Sequence, residues 1–359
     1  PPRCSGACGD PDHRIRSDWS DGDVRVTDER ERADARLRLY DAAADEVAGR
    51  VIRRYSSSFG LANRLLATGY RQDVANVYAL VRVADEIVDG AATEAGLDLA
   101  ASGQRLDAYE RETDTAVATG FSTDLVVHAF ARTARTAGID SVLTAPFFAS
   151  MRADLSASEH DDESFARYVD GSAEVVGLMC LRVFLRDDPR SPEETAELEH
   201  RARALGAAFQ KVNFLRDLAA DFRVLGRSYF PGVDPARFDE TVKHRLLDDI
   251  DADLAVSAAA VPRLPVGARR AVGLAQDLYT ELAARLRVTP AAVLATERIS
   301  VPRGAKARLG VRALLGRSRA ASATRTADGV VVTLADGSRV EGSHCLMAVG
   351  SIPNTEGIG

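Results

Sequence analysis

YALVRVADEIVDG, residues 78–90, sets three acids, Asp85, Glu86 and Asp89, into a run of Val, Ala and Ile. At 100° per residue, Tyr78, Arg82, Asp85 and Asp89 follow an i, i+4, i+7, i+11 pattern and share one helical face. Leu80, Val83, Ala84, Ile87 and Val88 make the opposite face, and Gly90 is a stop just past the acids. Alone, this is an amphipathic helix whose acids form its wet side, and the segment by itself favours that reading. The alternative is one wall of a metal site. Carboxylates four residues apart point the same way and can hold a hard cation that takes its other oxygens from water and phosphate. An arginine on that face is awkward beside a cation alone but suits a bound diphosphate. Only a second, matching face can decide.

FQKVNFLRDLAADF, residues 209–222, supplies one. Gln210, Asn213, Asp217 and Asp221 fall on a single face with Arg216 on its shoulder, and Phe209, Val212, Leu215 and Ala219 form the apolar side. Neutral amides inside such a face do little for solubility. They do coordinate through oxygen and donate to phosphate. Two helices with the same unusual face point to a shared site, although each on its own still reads as a surface.

The composition bounds what surrounds these helices. The chain has 359 residues, 46% of them hydrophobic, 28% charged and 6% aromatic, with a mean hydropathy of −0.13. Abundant alanine and few aromatics favour helices. The net charge of −7 comes from interleaved acids and bases, which argues against a nucleic-acid partner. Four scattered cysteines and six dispersed histidines make neither a disulfide framework nor a zinc pattern. No apolar run approaches the roughly 18 residues of a membrane span, and nothing reads as a secretory leader. A cytoplasmic location is expected.

Residues 1–34 are polar, Gly/Pro-spotted and aperiodic, and read as a disordered lead-in. Residues 35–310 read as one all-α domain. Breaks are expected at Thr68-Gly69, Gly90, Gly120, Gly138, Ala145-Pro146, Asp187 to Pro189, Pro231-Gly232, Pro262 to Pro265 and Thr289-Pro290. Residues 311–325 read as a linker. GVVVTLADGSRV, 329–340, then reads as a β-hairpin turning at Asp336-Gly337, and HCLMAVG, 344–350, as another strand. Residues 326–359 are therefore a β-rich appendage, too short for a core of their own.

YALVRVADEIVDG and QKVNFLRDLAADFRVLGRSYFP resemble the two aspartate-rich motifs of the squalene and phytoene synthase family. RYSSSFGLANRLL (54–66) resembles the family's Ser-x-Ser-Phe helix, FFASMRADL to RYVDGSAEVVGLMCLRVF (147–184) its central helix pair, and RISVPRGAKARL (298–309) its basic C-terminal segment. The resemblance runs in order over roughly residues 40–310. It implies an isoprenoid-synthase helical bundle around a central cavity. There two prenyl diphosphates are joined head to head, through a cyclopropyl diphosphate.

By similarity, Asp85, Asp89, Asp217 and Asp221 hold Mg2+, or Mn2+ in its place, with Asn213 completing the metal shell and Glu86 a secondary ligand. Arg82, Gln210, Asn213, Arg216, Ser56, Ser58, Tyr279 and Arg298 contact diphosphate. Tyr78 and Tyr168, with Arg82, stand at the reaction centre. Phe59, Gly171 and Gly177 leave width for the prenyl tail. Each has a plainer reading: Tyr168 as a core tyrosine, the serines as a helix cap, the glycines as close-packing residues. The local wording is most similar to bacterial phytoene synthases, which implies geranylgeranyl diphosphate as substrate and phytoene as product. The alternatives are squalene or dehydrosqualene from farnesyl diphosphate, and a non-catalytic relative. Proton loss as the last step implies no NADPH, and peripheral membrane contact is allowed for release of an apolar product.

TADGVVVTLADGSRVEGSHCLMAVGSIPNTEGIG (326–359) resembles a short stretch of the flavin-dependent pyridine nucleotide–disulfide reductases. The Gly-rich loop and redox cysteine pair of that family are absent and Cys345 stands alone, so no flavin is expected.

Overall fold

In a computed structural model of the protein, the backbone is described for residues 21–156, 159–220, 229–234, 237–314, 320–326, 329–334 and 339–342. Side chains are described within 34–219, 229–234 and 237–314. The chain falls into two compact units, Pro1–Ala43 and Ala44–Gly359. The lead-in expected to be disordered through residue 34 is helical from Asp21 onward (α1, Asp21–Tyr55). Its Glu, Arg and Ala are strong helix formers, and a polar sequence without apolar periodicity hid that propensity.

The second unit is a stack of helices. In order they are α2 (Ser57–Asn63), α3 (Thr68–Val88), α4 (Ala91–Glu94), α5 (Leu99–Thr119), α6 (Leu125–Ala137), α7 (Ser141–Ala153) and α8 (Asp162–Val169). A π-helical turn (Asp170–Glu174) leads into α9 (Val175–Leu185). Then come α10 (Pro192–Ala220), α11 (Glu240–Ala258), α12 (Val266–Val288), α13 (Ala291–Leu294) and α14 (Arg303–Leu314).

Helix ends follow local chemistry. Asp98, Asp124, Asp140, Asp161 and Asp239 each cap a helix by accepting backbone N–H bonds. Gly120 and Gly138 close α5 and α6 in the left-handed conformation, with φ of 87° and 70°. The break expected at Ala145-Pro146 does not occur, since Pro146 lies inside α7. The carbonyl it orphans is that of Val142, a residue 74% exposed.

Two large core clusters fill the unit. Leu80, Phe130, Phe147, Phe148 and Met179 centre the first, on α3, α6, α7 and α9. Leu215, Leu247, Ile250 and Leu286 centre the second, on α10, α11 and α12. Gly177 and Gly206 let α9 and α10 approach closely: a Cβ on Gly177 would sit 2.7 Å from the Ala202 carbonyl.

Three antiparallel strands in the order β1 (Ala320–Thr326), β2 (Gly329–Leu334) and β3 (Arg339–Gly342) make the appendage. The hairpin expected at 329–340 corresponds to β2 and β3, and β1 precedes it. Residues 311–314, read as linker, continue α14. The expected Asp336-Gly337 turn and the 344–350 strand lie outside the described residues.

Candidate active site

A cavity of about 1000 Å³ opens between the two core clusters. It takes Val81, Met151, Val176 and Phe184 from the first and Phe209, Phe214 and Leu282 from the second. Polar side chains enter it from α3 on one wall and α10 on another.

On the α3 wall, Tyr78, Arg82, Asp85 and Asp89 line the cavity together. Asp89 sits just past the last helical residue and keeps the helical bond, its N–H donating to the Asp85 carbonyl at 2.8 Å. The Asp85 side chain is 38% exposed, but it is exposed to the cavity, with protein on every other side. Burial therefore pushes its carboxyl up to about 7. Arg82 opposes that rise, and the charges of Asp89 and Glu86 add to it.

Arg82 cannot fully neutralise Asp85 because it is committed elsewhere. Its Nη2 donates to Glu86 Oε1, while its Nη1 stands 3.6 Å from Asp85 Oδ2. The guanidinium also lies 4.6 Å over the Tyr55 ring. Glu86 accepts the Ala91 N–H at 2.9 Å with its other oxygen. Burial would raise its carboxyl, yet the Ala91 N–H and Arg82 hold it below the usual range. Glu86 does not line the cavity. It ties α3 to α4 and holds Arg82, and Gly90 makes room for it, because a Cβ there would collide with Glu86 Oε2.

On the α10 wall, Gln210, Asn213, Arg216 and Asp217 line the same cavity. Asp217 is well supplied with positive charge. Arg216 donates to it from Nε at 3.0 Å and from Nη2, and Arg298 Nε reaches it at 2.7 Å. Tyr279 OH lies 3.5 Å from Asn213 Oδ1, so the Tyr279–Arg298 pair expected from the sequence does converge on this face. Asp221 lies outside the described residues.

Aromatic rings join the two walls. Phe59 sits 6.2 Å from Tyr78, 5.8 Å from Phe209 and 6.0 Å from Tyr279, and Tyr279 stacks on Phe209 at 3.8 Å. Burial pushes the Tyr78 hydroxyl up to about 12 despite Arg82 and Ser56, and Tyr279 is raised for the same first reason. Ser56 caps α2 by accepting the Phe59 N–H at 3.0 Å, and it lines the cavity with Ser58. The cap reading holds for Ser56, and both serines stand on the cavity wall.

Sequence reasoning missed several lining residues, three of them polar and well placed: Lys306, Asp154 and Tyr229. Lys306 Nζ donates to Ser57 Oγ at 2.9 Å across 249 residues of chain. Burial, then Arg216, lowers the Lys306 ammonium, which marks a cation-rich mouth. Asp154 and Tyr229 meet Tyr168 on the wall. The basic RISVPRGAKARL segment was the available signal for Lys306; no local pattern marks Asp154 or Tyr229. Of the expected prenyl-pocket residues, Phe59 and Gly177 line the cavity and Gly171 does not. Gly171 is buried against α7, where a Cβ would collide with the Pro146 carbonyl and Ser150 Oγ, so it is a close-packing residue.

Among the described residues, no three acidic, imidazole or thiol groups gather into a ready-made metal cage. The donor set still fits Mg2+, which binds through one or two carboxylates and keeps water and phosphate in its remaining positions. Asp85 and Asp89 from α3 and Asp217 with Asn213 from α10 present such oxygen donors to one cavity.

Comparison with known proteins places the chain. Residues 52–305 match the squalene/phytoene synthase family. The chain is 29% identical over 251 residues to the 15-cis-phytoene synthase of a Paracoccus species, covering 66% of this chain and 80% of that protein. It is 28% identical over 268 residues to the bifunctional lycopene cyclase/phytoene synthase of Leptosphaeria maculans, covering 66% of this chain and 45% of that one. A 50-residue stretch is 62% identical to NAD(P)H dehydrogenase (quinone) of Mycobacterium tuberculosis, of which the chain spans only 10%. A dehydrosqualene synthase crystal structure superposes with a TM-score of 0.64 at 21% identity, over 78% of this chain and 98% of that one. Squalene synthase HpnC from Alicyclobacillus acidocaldarius gives 0.59 at 22% identity, over 69% and 95%; both share the all-α fold. The chain therefore belongs to the squalene/phytoene synthase family, a family of prenyltransferases.

Proposed function

We propose that this chain joins two prenyl diphosphates head to head with release of diphosphate, and that it converts geranylgeranyl diphosphate to phytoene. Two carboxylate-bearing faces, Asp85/Asp89 and Asn213/Asp217, meeting on one largely apolar cavity carry this reading. Its volume of about 1000 Å³ is at the upper end for small-molecule sites, as two long-chain substrates require.

Asp85, Asp89, Asn213 and Asp217, with Asp221 by its place in the motif, would hold Mg2+ or Mn2+. A divalent ion bound there neutralises charge on the departing diphosphate. Arg82, Arg216, Arg298, Gln210 and Lys306 bind and orient the diphosphates. The allylic C–O bond breaks with its electron pair leaving on oxygen. The second substrate's double bond attacks the resulting carbocation, and loss of a proton closes the cyclopropane. Loss of the second diphosphate gives a cyclopropylcarbinyl cation, which rearranges with opening of the ring so that the two C1 carbons are joined, and proton loss leaves a central conjugated triene. Apolar walls keep water from the cations, and the rings of Phe59, Tyr78, Phe209 and Tyr279 offer them π-faces.

A second reading takes farnesyl diphosphate to dehydrosqualene or squalene, as the names of the solved proteins of like fold suggest. Incubation with each substrate and Mg2+, with and without NADPH, followed by identification of the hydrocarbon, separates the two. Failure of both C15 and C20 substrates would overturn the proposal. No redox or flavin role is assigned to the appendage, whose likeness to a reductase rests on so short a stretch. Among the described residues, no helix is long and apolar enough to cross a membrane. A cytoplasmic enzyme touching a membrane surface to release its product is part of the proposal.

A further inference from the structure

Arg82 reaches the cavity from α3 with its guanidinium held on more than one side. In its own plane, Nη2 donates to Glu86, and Nη1 stands 3.6 Å from Asp85 Oδ2. Against its face lies the ring of Tyr55, with the guanidinium carbon 4.6 Å from the ring centroid. Its Nε–H is buried without a hydrogen-bond partner, a cost that a side chain free to turn would relieve in water. The guanidinium is therefore fixed in place. Local structure aims the ring. Tyr55 is the last residue of α1, three residues past Ile52, and residues three apart share a helical face. Ile52 is 2% exposed and lines the cavity, and its carbonyl accepts the Ser56 N–H at 3.1 Å. Ser56 then caps α2, so the chain is anchored on both sides of Tyr55. Yet Tyr55 is 51% exposed and belongs to none of the core clusters among the described residues. Core packing does not account for a ring kept half in water beside a cation. A cation–π contact does.

We propose that Tyr55 is a positioning residue for Arg82, its ring holding the guanidinium ready for the diphosphate of an incoming prenyl substrate; this rests on the reading of Arg82 as a diphosphate-binding group. An arginine carries large rotamer freedom, and capturing a diphosphate with a loose one costs that freedom at the moment of binding. Ordering the side chain beforehand removes part of the cost. The ring also restrains Arg82 from closing on Asp85. Glu86 draws Nη2 along the helix, Tyr55 holds the face, and Nη1 stays too far from Asp85 for a hydrogen bond. The contact is made by the face of the ring, so the tyrosine hydroxyl is not required for it.

Tyr55→Leu removes the π-face and keeps an apolar side chain that favours a helix. Inorganic diphosphate, titrated calorimetrically at saturating Mg2+, should bind this variant about three- to fivefold more weakly than the wild-type protein. In turnover the loss should fall on KM for the prenyl diphosphate, with kcat within about twofold. Tyr55→Phe keeps the ring and should restore the affinity. In an Arg82→Gln background, Tyr55→Leu should cost little more, because the ring acts only through the guanidinium. A tyrosine that merely supported the fold would instead lower Tm and leave diphosphate affinity unchanged. Equal diphosphate binding by the wild type and Tyr55→Leu, the same loss in Tyr55→Phe, or the same loss in the Arg82→Gln background would each overturn the role of Tyr55. If the wild-type protein binds no diphosphate with Mg2+, the reading of Arg82 fails and the role of Tyr55 fails with it. If the wild-type protein forms no hydrocarbon from either the C15 or the C20 substrate but Tyr55→Leu still weakens diphosphate binding, the condensation reading fails and the positioning role stands.

Discussion

The two aspartate-bearing walls are written almost alike in sequence and differ in charge balance. Asp85 on α3 faces the cavity with a neighbouring arginine that is bound to Glu86 and packed on Tyr55, and its carboxyl is pushed up to about 7. Asp217 on α10 carries two arginines, Arg216 and Arg298, one of them from a distant segment. Asp85 thus has one arginine, shared with Glu86, while Asp217 has two. On the proposed function both faces would hold metal, and an arriving diphosphate would compete with Asp217 for Arg216 and Arg298.

The most severe way to break this comparison is Asp85→Asn or Asp217→Asn. Each should cut hydrocarbon formation by about 10²–10³-fold or more with an unchanged helical spectrum. Near-normal product from either variant would end the two-wall account. Arg298→Ala comes next. It leaves Asp217 with Arg216 alone and removes a proposed diphosphate contact, so KM should rise by about tenfold, or 1.4 kcal/mol, with a smaller change in kcat.

Metal should then stabilise the protein through the α3 wall. At Mg2+ 100-fold above its Kd the gain is about 2.7 kcal/mol, visible as a rise in Tm of several degrees that Asp85→Asn largely loses. An equal rise in both proteins would place metal binding elsewhere.

The metal-free protein offers a subtler test through pH. Asp85 has a folded pKa of about 7 against an ordinary 3.8, so the folded state binds its proton more tightly than the unfolded chain. The resulting destabilisation is absent below pH 3.8, grows as the pH rises and is complete above about 7. Asp85→Asn should therefore be the more stable protein at pH 8 by roughly 1 kcal/mol, after allowance for screening by cavity water. Denaturant melts at pH 5 and pH 8 measure the difference, and no pH-dependent gap would count against the charge imbalance. Glu86→Gln should disturb metal and substrate binding least. It weakens one charge-assisted bond, costs about 1–2 kcal/mol of stability and leaves Mg2+ affinity within about threefold if Glu86 is not a ligand.

Much of this was legible because helices are local. The 3.6-residue period that puts Arg82, Asp85 and Asp89 on one face needs no knowledge of the rest of the chain, and neither do the caps at Asp124 or Gly138. Local patterns misled where a neighbouring surface decides. Pro146 reads as a break, yet the helix runs through it, and the carbonyl it orphans belongs to the exposed Val142. Gly171 reads as width for a ligand, and it is pressed against α7.

The sequence by itself determined an all-α body, the paired carboxylate faces and the family to which they belong, because periodicity and motif spacing are properties of short segments. Only the tertiary structure decided how each group is used. It alone brought Asp154 to Tyr168 from 14 residues away, Tyr229 to Asp154 from 75 and Lys306 to Ser57 from 249. It also set Glu86 to hold Arg82 rather than face the cavity. The reason is physical: burial and charge depend on every group within a few ångströms, and in a helical stack those groups come from segments with no pattern in common.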